Sequence, residues 1–298
     1  MTKLKNFDDI LQKIYIFAEI SQQKLNTMRR NLLLIGAILC SYHCFSWDLS
    51  GIAGARGNAM GNCSVSLNDF WSIQNNPAGM ADYRFLSLGL SYENRFFMKE
   101  LSFYNTALVM PLQTGALGLS YSRFGFENFN ENKLALAYAR TFGSYLKMGL
   151  KLDYLVFDFS DEYAKRRTAT FEFGVQSDIT RDLRIGVYIF NPINVKLKTI
   201  YNERVPVIFR FGLSYNVTKD FLASSEVKYD TDRGLDLCFG LEYNTVRDFY
   251  IRVGAHTNPA TASFGAGYTL TRVVVDVSAT MNQHTGTSFQ SSLIFKIK

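Results

Sequence analysis

A chain that performs covalent chemistry needs a nucleophile beside a base, or a set of metal ligands, and here both are sparse. Beyond residue 46 the sequence holds two histidines, His256 and His284, and two cysteines, Cys63 and Cys238. No Cys/His spacing suits a metal, no glycine-rich loop follows a strand to cradle phosphate, and no nucleophile elbow presents a serine. His256 with Ser263, across the Asn258-Pro259 hairpin, is the one pair that could support lipase chemistry. A histidine near a loop is more often a polar rim residue than a base. No enzymatic activity, metal or cofactor is therefore expected.

Composition narrows the remaining classes. Charged residues make up only 19% of the 298, alongside 25 Phe, 17 Tyr, 2 Trp and 5 Pro. Disorder needs the opposite balance, low hydrophobicity with excess charge. No uninterrupted apolar run reaches the roughly 18 residues of a transmembrane helix. The formal charge is +6, and residues 1–46 supply half of it, with six Lys/Arg against three Asp/Glu. Elsewhere basic residues are scattered among acids. A nucleic-acid footprint would cluster them on one face, so no nucleic-acid partner is expected.

Met28-Arg29-Arg30, the apolar stretch Leu32 to Cys40 and the polar Ser41-Tyr42-His43 follow the order of parts in a signal peptide. Small residues at Cys44 and Ser46 place cleavage after Ser46. Residues 28–46 are then the signal, and 1–27 an upstream extension or a long n-region. Neither Cys40 nor Cys44 follows a convincing lipobox. Export leads to a compartment that permits oxidation, where Cys63 and Cys238 allow one disulfide at most.

From residue 85 onward the dominant signal is alternation with period two. Leu86, Leu88, Leu90 and Tyr92 alternate with Ser87, Gly89, Ser91 and Glu93, and Met148, Leu150, Leu152 and Tyr154 with Lys147, Gly149, Lys151 and Asp153. Successive side chains of a strand face opposite ways, so each segment has one apolar and one small or polar face. Fourteen strands are expected, at 85–96, 101–112, 115–126, 133–142, 146–159, 167–179, 183–191, 206–217, 221–230, 235–245, 249–257, 261–270, 273–282 and 286–297. Most have the roughly nine to eleven residues of a tilted membrane-spanning strand. A soluble β-sandwich also alternates, but it usually stops at about seven to nine strands. Connections after odd-numbered strands are often long (around 125–132, 160–166 and 192–205), whereas Gln113-Thr114, Thr180-Arg181-Asp182, Thr218-Lys219-Asp220 and Val246-Arg247-Asp248 are tight. Long external loops with short periplasmic turns characterise outer-membrane barrels. The expectation is an all-β, 14-stranded antiparallel transmembrane barrel at residues 85–298, contacting outer-membrane lipid.

Parity also assigns a lumen. Lys147, Lys151, Arg184, Arg210, Lys228 and Arg252 would face inward with Asp153, Glu172, Asp178, Glu226, Asp236, Glu242 and Asp276. A selective pore shows one sign of charge, so this near balance reads as salt-bridged packing in a closed or plugged barrel. On the same rule Leu150→Arg should disrupt a lipid face, and Lys151→Ala should be far better tolerated.

Residues 47–84 do not alternate. They carry Gly54-Ala55-Arg56, Ala59-Met60-Gly61, then Asp69-Phe70-Trp71-Ser72, then Asn75-Asn76-Pro77-Ala78-Gly79. Small residues permit close backbone approach, and Asn76-Pro77 suits the cap and first position of a short helix. Such a segment has no core of its own and must pack on something, and the lumen is available. The pattern Gly-Ala-Arg-x-x-Ala-Met-Gly, with Asp-x-Trp-Ser and Asn-Asn-Pro-Ala-Gly, resembles the N-terminal hatch of the PorV/PorQ family, relatives of FadL-type channels. The resemblance covers the chain from residue 47 onward and implies an outer-membrane barrel of fourteen strands plugged by residues 47–84.

The resemblance also implies two functions. PorV-like members partner type IX secretion or surface attachment, receiving secreted cargo, and this reading is placed first. FadL-like members pass hydrophobic small molecules, such as long-chain fatty acids, through a hatch and a lateral opening. Candidate external loops for a partner or ligand are Phe124, Phe126 and Phe129, and the 191–205 connection with Lys196, Lys198 and Arg204. The phenylalanines suit an interfacial aromatic girdle better, and the loop a solvated rim. Cys63 in the hatch and Cys238 on the lumen face could form one bond tying plug to wall.

Overall fold

A computed structural model describes residues 51–127, 129–159, 165–197, 204–246, 248–283 and 285–297. The signal segment 28–46, the extension 1–27, Lys198 and His284 lie outside the described residues.

Alternating segments pair with their sequence neighbours because a strand with one apolar face must bury backbone groups on both edges. The strands are β1 (Ser87–Asn94), β2 (Ser102–Leu112), β3 (Gly115–Phe126), β4 (Phe129–Phe142), β5 (Leu146–Phe159), β6 (Arg166–Asp178), β7 (Leu183–Phe190), β8 (Ile208–Asn216), β9 (Phe221–Asp230), β10 (Gly234–Val246), β11 (Phe249–Thr257), β12 (Ala260–Thr269), β13 (Val273–Asn282) and β14 (Gly286–Lys296). Each is antiparallel to its neighbours, and β1 closes on β14 from Ser87↔Lys296 to Asn94↔Phe289. Closure leaves no unpaired edge, the condition for a sheet to sit in hydrocarbon.

Exposure follows the expected parity. Leu150 is 44% exposed, whereas its neighbour Lys151 is wholly buried. The outward row is Leu, Phe, Tyr and Val, as lipid contact demands. Long connections, including 95–101 and 191–207, share one rim with the turns that follow the other odd strands. Short turns share the opposite rim with the start of β1 and the end of β14. Among the described residues the wall is continuous, with one register shift, between Asn244 and Val246 on β10.

One expected loop is a strand. The 125–132 connection shrinks because β4 begins at Phe129, which pairs directly with Phe126. Gly125, at φ +99°, turns the chain there, and the polar run Asn130-Glu131-Asn132 conceals strand pairing that the opposite strand supplies.

The lumen is filled by the N-terminal segment. It contains α1 (Ala55–Ala59), α2 (Ser72–Asn75) and a 3-10 helix (Pro77–Asp82), whose Asn76 cap accepts a hydrogen bond from the Ala78 backbone at 3.2 Å. Helices this short have no stability of their own and persist through packing. The wall is moulded to them by inward glycines. A Cβ at Gly89 would strike the Phe70 ring, at Gly149 the Pro77 backbone, at Gly186 the Val65 carbonyl, and at Gly254 the backbone of Gly61.

Candidate functional site

The hatch residues singled out by type and spacing come together as one plug. Gly54, with φ +86°, lies against the Trp71 indole, where a side chain would collide. The Ala55 N–H donates to Ser292 Oγ at 3.2 Å, joining α1 to β14. Asn75 closes a two-way pair with the Ala53 backbone at 3.0 and 3.1 Å, and Asn76 Nδ2 donates to the Val65 carbonyl at 2.7 Å. Gly61, at φ +63°, touches the Ala255 backbone, and Gly79 packs on Ser72. Phe70 and Trp71 meet edge to face at 5.0 Å beneath buried Ile73 and Met80. These residues build and seat the plug, with Pro77 and Ala78 opening its 3-10 turn.

Ion pairs fix the plug to the wall in several places. Arg56 makes a forked contact with Glu242 (2.8 and 2.7 Å) and reaches Asp69 at 3.2 Å, while Arg252 links Glu242 to Asp276 at 2.5 and 2.6 Å. Glu226 pairs with Arg210 and accepts the Ser64 and Val65 backbone N–H groups at 2.9 Å each, and Arg210 donates to Ser64 Oγ, Asn75 O and Asn62 O. Lys151 and Lys133 share Glu172 at 2.8 and 3.2 Å, and Lys151 also donates to hatch Gln74 at 3.1 Å. Lys147 joins hatch Asp82 to Asp178. The mixed lumen charge expected from parity is thus a set of plug–wall clamps.

Cys63 and Cys238 lie in one apolar cluster with Met60 and Leu67, and both thiols are free. The disulfide that the sequence allowed is not formed. Burial pushes the Cys63 thiol above its ordinary pKa, with the Glu226 carboxylate adding to the shift, so it packs as a small apolar group.

The external candidates separate. Phe124 faces inward and is buried, Phe129 packs beside it, and only Phe126 is exposed, because Gly125 breaks the alternation between them. Neither an external loop site nor an interfacial girdle describes Phe124. It belongs to an apolar cluster in the upper lumen with Phe103, Leu155, Phe157, Tyr188, Phe190 and Ile208. Leu197 and Val205 of the β7–β8 connection cover the cluster, and Lys196 bridges Arg204 in the same connection. The connection is held by Asn191, whose Nδ2 donates to Val205 O at 2.7 Å and whose Oδ1 accepts from Thr170 Oγ1 at 2.7 Å and Val195 N at 3.1 Å. The sequence did carry a signal for the cluster: Val187-Tyr188-Ile189-Phe190 and Leu155-Val156-Phe157 lose their polar face at the upper strand ends.

Open space lies on both sides of the plug. A vestibule of about 360 Å³ at the long-loop rim reaches Asn58 and Asn62, and a cavity of about 300 Å³ at the other rim reaches Arg56 and Asp69. The α1 segment stands between them.

No family model and no curated protein matches the chain. Solved structures do resemble it. A Pseudomonas aeruginosa FadL homologue aligns with TM-score 0.62 at 12% identity, over 82% of this chain and 98% of that one. The Ralstonia pickettii toluene transporter TbuX aligns at 0.58 and 13%, over 84% and 98%. The Pseudomonas putida toluene transporter TodX aligns at 0.59 and 12%, over 81% and 96%. The chain therefore has the fold of these FadL-like barrels, fourteen antiparallel strands closed on themselves.

Proposed function

We propose that this chain is an outer-membrane channel for small hydrophobic molecules, held closed at rest by its N-terminal hatch. The observation that carries the reading is the inward aromatic cluster. A lumen serving only to brace the wall gains nothing from gathering Phe103, Phe124, Phe157 and Phe190 near the extracellular mouth, under a connection that could lift from them. Apolar pockets with few polar groups are the usual form of sites for hydrophobic ligands. The names of TbuX and TodX as toluene transporters support the same substrate class here.

This reverses the order expected from the sequence. Secretion partnership rests on the hatch motif alone and takes second place, and the PorV/PorQ assignment stays with it. Whole cells expressing the wild type or Phe190→Glu at equal outer-membrane levels should differ several-fold in accumulation of radiolabelled toluene or oleate. Equal accumulation in both, and in cells lacking the protein, would reject the channel. Co-isolation of secretion subunits would favour the second reading.

A further inference from the structure

The upper lumen is divided. Its aromatic cluster occupies the side of β2 to β8, while the open vestibule lies against β1, β9 and β11 to β14 and carries the polar side chains of Asn58, Thr261, Thr280, Asn282 and Ser288 beside Ile52, Phe96 and Leu101. At its floor the vestibule meets a small cavity of about 20 Å³, and Lys228 and Arg210 border both. That inner space holds one water-sized group.

Nearly every charged group around this floor is already committed. Arg210 is spent on Glu226 and three hatch acceptors, Arg95 holds Glu93 at 3.0 Å, and His256 rests on Asp236 at 3.3 Å. Asp236 also accepts the Thr257 and Asn258 backbone N–H groups, and Asp230 accepts those of Asp232 and Arg233. Lys228 makes no hydrogen bond or ion pair with any described residue. Other inward cations, Lys133, Lys147, Lys151 and Arg252, each contact a carboxylate. The nearby Asp230 and Asp236 carboxylates act on Lys228 only from a distance, being turned to backbone N–H groups and His256, so a half-buried ammonium is left without a direct partner, which is costly unless something supplies one. A second group agrees with it: Asn105 Nδ2 is buried, borders the same inner cavity and donates to nothing.

We propose that the vestibule floor binds a small hydrophilic oxyanion, a carboxylate or phosphate on a hydroxylated body, with Lys228 supplying the charge and Asn105 a neutral donor. An anionic oxygen fits the water-sized space between them, and the hydroxyl and amide side chains above suit a polar body rather than a hydrocarbon. The site goes beyond the hydrophobic channel, since its charge comes from β9 and its vestibule lies across the lumen from the aromatic cluster, and the two meet only where Phe103, Tyr188, Phe190 and Ile208 border the inner cavity.

The test is calorimetric titration of the full-length mature protein in detergent with sodium citrate and with inorganic phosphate, at constant ionic strength, with glucose as a neutral control. Saturable binding of at least one anion is expected, together with none for glucose. Lys228→Gln should weaken it at least tenfold, Lys228→Arg should largely restore it, and Lys219→Gln, on the opposite rim, should leave it unchanged. A heat-modifiable gel shift confirms that each variant is folded. Absence of saturable binding for both anions, or equal affinity in folded Lys228→Gln, would overturn the site, and Phe124 or Phe157 variants that abolish hydrocarbon uptake should leave it intact, since these two belong to the cluster and do not border the inner cavity.

Discussion

Arg56 of the hatch and Glu242 of β10 form a two-pronged hydrogen-bonded pair, Nε to Oε2 at 2.8 Å and Nη2 to Oε1 at 2.7 Å. The planar guanidinium matches the carboxylate in a way a lysine cannot. Because Glu242 also holds Arg252 at 2.5 Å, its loss takes a carboxylate from two cations at once, leaving Arg56 only Asp69 and Arg252 only Asp276. Removing one partner of a buried pair costs about 3–5 kcal/mol. Glu242→Ala should therefore loosen the hatch while the barrel remains closed. Cys63 reports this: buried and free in the wild type, it should resist maleimide even at pH 9, since burial keeps it a thiol, and should label readily in the variant. Unchanged protection would mean that the other clamps suffice.

How much of this was legible beforehand differs by element. The strands were, since alternation such as Leu86 to Glu93 encodes both a strand and its lipid face. The plug was legible from Gly54 to Gly79, where small residues replace alternation. The partners of each clamp were not, because parity places Glu242 and Arg56 in one lumen but cannot say which wall position meets α1. Phe124 was misplaced because it was grouped with Phe126 as a loop residue, whereas it keeps the inward parity of Ala116, Gly118, Ser120 and Ser122; only Phe126 is turned outward, by a glycine at φ +99° that nothing in the sequence distinguishes from a regular one.

The fit of plug to wall gives a second prediction. A Cβ at Gly254 would run into the Gly61 backbone, which has no flexible end to move aside, whereas the neighbouring Ala255 side chain points outward. Gly254→Val should reduce folded protein in the outer membrane or expel the hatch. Ala255→Val should assemble normally. Heat-modifiable gel shifts on membrane fractions separate the two, and equal yields would show that the plug adjusts.

Facing on β5 is open to a third test, with a correction. Leu150→Arg puts a charge on the lipid face at about 2–4 kcal/mol near the midplane. Lys151→Ala was expected to be mild on parity alone. The structure makes it costly, because Lys151 holds Glu172 at 2.8 Å and the hatch residue Gln74 at 3.1 Å. Its loss leaves Glu172 to Lys133, so a penalty approaching the 3–5 kcal/mol or so of a broken buried pair is expected. Urea unfolding in liposomes should show both variants weakened, and Lys151→Met combined with Glu172→Gln recovering part of the loss. A Lys151→Ala midpoint equal to wild type would contradict the clamp.

The last prediction concerns the cover over the aromatic cluster. Asn191 sits at φ +54°, a left-handed conformation that asparagine tolerates better than most residues, and its amide holds Val205 O, Thr170 Oγ1 and Val195 N. Asn191→Ala removes these hydrogen bonds together with a longer one to Pro206 O at 3.4 Å, and leaves the Val205 carbonyl, at the covered side of the loop, without its donor. At about 1 kcal/mol net per bond the cover should lose several kcal/mol of tethering, while the strands on either side keep their ladders. Two readouts should move together. Limited trypsin digestion should cut faster at Lys196, Lys198 or Arg204, and a fluorescent hydrophobic probe should bind the purified barrel more rapidly as Leu197 and Val205 lift from Phe190 and Ile208. Asn191→Gly, which keeps the backbone conformation but not the amide, should behave like Asn191→Ala. Were it to behave like wild type instead, backbone geometry would be what holds the cover, and the amide would be incidental to access.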